Sequence, residues 1–77
     1  MQQQTQIKNM TKELEYDDKG KLTAILFSDG RKYTFEYDEL GRFISETDVY
    51  GDKYTFEYGK QNKLISLTYP DGSKTIF

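Results

Sequence analysis

The sequence predicts an all-β fold: an antiparallel up-and-down meander of β-hairpin repeats forming a single twisted sheet. Three observations carry that prediction. Residue types recur every 21 positions, as in Tyr16, Tyr37 and Tyr58, in Gly30, Gly51 and Gly72, and in Phe35, Phe56 and Phe77. The runs between turn signals alternate apolar and polar residues with period two, as strands do. Finally, glycine- or asparagine-bearing turns interrupt the chain at short, regular intervals, and no stretch keeps a helical period.

In chain order, residues 1–10 fall outside the repeat; this Gln-rich start has little to bury and is expected to be a weakly ordered N-terminal segment ahead of a sheet domain at 11–77. The expected strands are 11–16, 21–28, 31–37, 42–49, 53–58, 63–69 and 73–77. Between them lie Asp17-Asp18-Lys19-Gly20, Ser28-Asp29-Gly30, Asp38-Glu39-Leu40-Gly41, Tyr50-Gly51-Asp52, Gly59-Lys60-Gln61-Asn62 and Pro70-Asp71-Gly72. Gly20, Gly30, Gly41, Gly51 and Gly72 are the structural turn residues, placed where positive φ is needed, and Asp-Gly between apolar runs is a strong hairpin signal. The segments Lys32-Tyr33-Thr34-Phe35-Glu36-Tyr37 and Lys53-Tyr54-Thr55-Phe56-Glu57-Tyr58 match residue for residue, with aromatics on one face and Thr and Glu on the other. The intervening strands carry apolar residues at both parities: Leu22 with Leu26, but also Ile25 with Phe27. That pattern predicts strands partly covered on both sides.

Composition excludes several classes. The chain has 77 residues, which bounds it at one domain of marginal burial. With no Cys and no His, it lacks disulfides, thiolate sites and the commonest metal ligand. A net charge of -2 with both signs scattered forms no basic stripe for nucleic acid. No apolar run approaches a membrane span, and the start lacks the regions of a signal peptide, so a cytoplasmic location is the default; a fragment of an exported protein would read the same way. No cofactor and no metal are implied.

Tyr16-Asp17-Asp18-Lys19-Gly20-Lys21-Leu22 and Tyr37-Asp38-Glu39-Leu40-Gly41-Arg42-Phe43 resemble the Tyr-Asp-x-x-Gly-Arg-Leu core of YD repeats, also called RHS repeats. Asp29-Gly30 and Asp71-Gly72, with the basic and β-rich residues after them, fit the same consensus, and the resemblance spans about residues 11–77. The third copy, Tyr58-Gly59-Lys60-Gln61-Asn62-Lys63-Leu64, departs by losing the Asp and replacing the Gly with Asn, which tolerates positive φ. The resemblance implies β-hairpin units stacked into one strongly twisted sheet, which in large members spirals into a shell around cargo. Three repeats are too few to close such a shell. Tyr69-Pro70-Asp71-Gly72-Ser73-Lys74 is also similar to MORN repeats, which are richer in glycine.

Individual residues divide between structure and chemistry. Asp17 and Asp38 read as acceptors for backbone N–H groups of their own turns; the rival reading, a Ca²⁺ ligand, lacks the spacing of a calcium loop. Glu36 and Glu57 invite comparison with the paired carboxylates of glycosidases, but the repeat accounts for the pair, and Lys32, Lys53 or Arg42 offer cross-strand partners. The aromatic set Tyr33, Phe35, Tyr37, Tyr54, Phe56 and Tyr58 is the candidate binding face, continued by Tyr16 and Phe77; its rival role is core packing. A single-layer sheet has nothing of its own to cover that face.

The expected function is therefore a non-catalytic structural or protein-interaction module. Its partner would be another protein, or a second copy in a homo-oligomer, met through the sheet face or the edge strands. The alternative is a small inhibitor or immunity-type protein that blocks a partner. An enzyme is the remaining class, and the sequence offers it no nucleophile elbow, phosphate loop or metal constellation.

Overall fold

The computed structural model describes residues 11–77. The expected segment 1–10 lies outside the described residues. Seven strands follow one another: β1 (Lys12–Tyr16), β2 (Leu22–Phe27), β3 (Lys32–Tyr37), β4 (Phe43–Thr47), β5 (Lys53–Tyr58), β6 (Leu64–Thr68) and β7 (Lys74–Ile76). They form one sheet in the order β1-β2-β3-β4-β5-β6-β7, every neighbour antiparallel. This is the predicted all-β meander, each strand lying within its predicted span. The one helical element among the described residues is a 3₁₀ turn at Lys60–Asn62, between β5 and β6, so no helix there is long and apolar enough to cross a membrane.

Two kinds of strand pair alternate, and a bulge distinguishes them. In β3–β4, Glu36 lies opposite Ser45 but Tyr37 lies opposite Phe43, so Ile44 is an extra residue on β4. Thr23 on β2 and Ile65 on β6 are extra in the same way. A bulge re-aims the chain beyond it and increases the local twist. The expectation of partial cover on both sides holds on β2, where Ala24 on one face is 4% exposed and Ile25 and Phe27 on the other are half-buried. The bulge on β4 swings residue 43 toward the face of Phe35 and Tyr37, where the Phe43 ring meets both at about 6 Å. The sheet has a single layer, and no second layer touches it among the described residues.

The two faces therefore differ in kind. Strand alternation puts Tyr33, Phe35, Tyr37, Ile25, Tyr54, Phe56, Tyr58 and Leu67 on one face. Thr34, Glu36, Ser45, Thr55, Glu57, Ser66 and Lys74 line the other. Deep burial falls on small residues: Ala24, Ser45 and Ser66 are 4%, 3% and 2% exposed, and no large side chain among the described residues is fully buried. These three small residues are themselves spaced 21 apart.

Candidate functional site

Five of the six turns share one geometry. In each, the N–H of the first residue donates to the carbonyl four residues on, and the N–H of the glycine donates back to the first carbonyl; the spans are 17–21, 27–31, 38–42, 48–52 and 69–73. The glycines at 20, 30, 41, 51 and 72 all have φ between 84 and 95°, the left-handed region where a Cβ is penalised. An aspartate stabilises each turn from one of two corners. Asp17, Asp38 and Asp48 stand first and accept from two later backbone N–H groups through one oxygen at 2.9–3.0 Å. Asp29 and Asp71 stand third and accept from the N–H two residues on. Backbone hydrogen bonds from Lys21 and Arg42 hold the Asp17 and Asp38 carboxyls below their ordinary range.

The sixth turn is rebuilt. Gly59 still donates to Lys63, but the inner bond runs from the Lys63 N–H to the Lys60 carbonyl, and both Gln61 and Asn62 take φ of 59°. The mild replacement of Gly by Asn expected from the sequence is thus a change of turn. The reason lies partly in the missing aspartate: neither Gly59 in the first position nor Gln61 in the third supplies the carboxylate that braces each of the other five turns. An added Cβ at Gly59 would meet Ile65 Cγ2 at 2.9 Å, so packing also favours glycine.

The repeated tyrosines close what the bulges open. β2 and β3 share only the pairs Ala24–Thr34, Ile25–Tyr33 and Leu26–Lys32, then splay. Tyr37 reaches across this splayed end and donates its hydroxyl to the Leu22 carbonyl at 2.8 Å. Tyr58 does the same to the Phe43 carbonyl at 2.6 Å, across the splayed end of β4 and β5. Cations cap these rings: Lys21 Nζ lies 5.7 Å from the centre of Tyr37, and the Arg42 guanidinium 4.9 Å from that of Tyr58. Arg42 is also paired with Asp38 at 2.8 Å and donates to Asn62. An open cleft of about 490 Å³ lies beside the turns at 17–21 and 38–42, lined by both signs of charge, including Asp17, Lys21, Asp38 and Glu39.

All six candidate face residues, Tyr33, Phe35, Tyr37, Tyr54, Phe56 and Tyr58, are brought to one surface, and all six are half-buried. Tyr33 lies parallel to Phe35 with centroids 6.0 Å apart. Phe43 packs on Phe56 at 4.9 Å, joining the second hairpin to the third. Tyr54 meets Tyr69 edge-on at 6.2 Å. Offset and edge-on pairs of this kind add roughly 0.5–1.5 kcal/mol each beyond area burial. Tyr16 and Phe77, at the two ends of the ladder, remain largely exposed. Phe43 is the face residue that sequence alternation misses, because only the bulge places it there.

On the opposite face the carboxylates find specific partners. Ser45 donates to Glu36 at 2.5 Å, and Lys53 pairs with the same oxygen at 3.2 Å. Ser66, Glu57 and Lys74 repeat this arrangement 21 residues on, at 2.5 and 3.4 Å. Each carboxyl is held below its ordinary range, first by the serine and then by the lysine. Of the partners expected for Glu36 and Glu57, Lys53 is found, whereas Arg42 is engaged by Asp38. The serines carried a signal in the sequence, a Glu-to-Ser step of nine residues occurring twice. Among the described residues no group of three or more carboxylates could hold a metal ion.

The tyrosine, the aspartate beside it, the turn glycine and the basic residue after it thus act as one unit, and residues 16–53 match the family model described as RHS Repeat. Residues 16–53 are an RHS-repeat segment. No curated protein matches the chain. The matched span contains two Tyr-Asp motifs, and the structure continues the RHS-repeat geometry beyond it: Glu57–Ser66 and Tyr58–Leu64 pair as Glu36–Ser45 and Tyr37–Phe43 do.

Proposed function

We propose that this chain is a non-catalytic structural module that presents its aromatic sheet face to a second protein layer. One observation carries the reading: the aromatic side chains of β3, β4 and β5 gather on one face, and no large side chain among the described residues is fully buried. A sheet with one apolar face normally packs that face against another element. The ring pairs and tyrosine hydrogen bonds stiffen the face without covering it, which suits a surface awaiting a partner. Strand β1 and strand β7 each pair on one side only among the described residues, so edge addition offers a second route.

The test is sedimentation velocity across concentration, combined with tyrosine nitration as a measure of ring access. Coverage of the face, by a second copy or by an added partner, slows nitration of Tyr33 and Tyr54 in step with the rise in mass. A protein that stays monomeric, unfolds cooperatively and nitrates slowly at every concentration would overturn the reading.

A further inference from the structure

The second repeat breaks the apolar pattern of the face at one place. Position 46 is Glu where the first and third repeats have Ile25 and Leu67, and position 48 is Asp where they have Phe27 and Tyr69. Position 52 is Asp against Arg31 and Ser73. Register places Glu46 between Phe35 on β3 and Tyr54 on β5, in the middle of the aromatic face. Among the described residues the Glu46 carboxylate has no hydrogen bond and no ion pair. The basic residues around it are turned to other work. Arg42 is bound to Asp38, Arg31 to Asp29, and Lys53 to Glu36 on the opposite face.

Elsewhere on this sheet, rings and cations occur together. Lys21 covers Tyr37, Arg42 covers Tyr58, and Arg31 lies 5.7 Å from the centre of Phe27. At the centre of the face the rings and the carboxylate are present and the cation is missing. We propose that Glu46, flanked by Tyr33, Phe35 and Tyr54, seats an arginine side chain of the partner segment that covers this face. The inference rests on the reading of the face as a protein-binding surface and specifies the chemistry of its occupant. A planar guanidinium can stack on the rings and pair with the carboxylate at once, which an ammonium does less well. A purely apolar layer would instead bury Glu46 unpaired, and a second copy placed with its own Glu46 nearby would add like-charge repulsion. The charge around the rings reinforces this: burial first, and then Asp48, Asp52 and Glu46, hold the Tyr54 phenol above its ordinary range.

The experiment is an NMR titration at low salt with acetyl-Gly-Arg-Gly-amide, its neutral citrulline counterpart, and an apolar Gly-Leu-Gly counterpart. The arginine peptide shifts the signals of Glu46, Tyr33 and Tyr54 in a saturable way, with affinity about tenfold above that of the citrulline peptide. Glu46→Gln removes most of that difference. Glu46→Leu, which restores the apolar residue of the other repeats, keeps the fold and abolishes it. Equal binding of arginine and citrulline peptides, an unchanged response in Glu46→Gln, or shifts centred on the exposed Asp18 and Glu39 would each overturn the proposal. Preferential binding of the apolar peptide to the same rings would also overturn it, while leaving the face as a binding surface intact.

Discussion

Removing single hydroxyls by Tyr37→Phe and Tyr58→Phe isolates the bridge across the splayed strand ends. Each substitution keeps the ring, its neighbours and the cation above it, and deletes one bond, of 2.8 Å to the Leu22 carbonyl or 2.6 Å to the Phe43 carbonyl. A neutral hydrogen bond contributes a net of about 1 kcal/mol, and water can reach these half-buried carbonyls, so each loss should cost about 0.5–1 kcal/mol. For a domain of this size that lowers Tm by roughly 2–8 °C. Urea unfolding followed by circular dichroism is the assay: the midpoint falls while the slope stays the same, because the surface exposed on unfolding hardly changes. Tyr16→Phe serves as the control, since Tyr16 is largely exposed and its hydroxyl has no partner among the described residues. Both bonds involve the segment at Phe43, directly for Tyr58 and through ring packing for Tyr37, so the double variant should depart modestly from additivity. Unchanged midpoints in both single variants would refute the bridging role, as would a Tyr16→Phe effect equal to theirs.

Other perturbations follow from the same geometry. Ala24→Ser places a hydroxyl where the second and third repeats use one to hold Glu36 and Glu57; it should raise the urea midpoint, and pairing it with Glu15→Gln should remove the gain. Gly41→Ala forces a Cβ into a left-handed φ of 84°, where it meets only the Lys21 side chain at an ordinary contact distance of 3.7 Å, so the loss is mainly backbone strain, about 1–2 kcal/mol by thermal unfolding. Lowering the pH should destabilise the sheet, because Asp17, Asp29, Asp38, Asp71, Glu36 and Glu57 all have folded-state values below their ordinary ones. Their contribution is complete above the unfolded carboxyl range, near pH 4, and is lost as pH falls through the lower folded values, which urea midpoints measured between about pH 6 and pH 2 should trace.

The architecture was legible because a period of 21 constrains every copy at once, so an ambiguity in one repeat is resolved by the next. Lys12–Tyr16 illustrates this: its residues tolerate a helix, and only the alignment of Tyr16 with Tyr37 makes it a strand. The turns were legible for a local reason, since Asp and Gly act on their own backbone. Effects that cross strands were harder to read. The place of Phe43 depends on an extra residue at Ile44, which alternation alone assigns to the wrong face. The grip of Ser45 on Glu36 joins residues nine apart through register, and register depends on the bulge. The turn at Gly59 changed form because losing the carboxylate and gaining a close approach to Ile65 act together.

Placing small residues at the most enclosed positions inverts the usual map of mutational tolerance. In most domains the bulky apolar side chains are the fragile ones, because truncating them leaves a void. Here Tyr33, Phe56 and their neighbours are already half in water, so trimming any one of them loses contact area without leaving an enclosed hole. The steric ceiling stands instead at Ala24, Ser45 and Ser66, where a side chain longer than serine has nowhere to go without displacing the neighbouring strands. A saturation screen of this chain would find its strictest size limits along that one column of small residues, running across the sheet beneath the charged ladder.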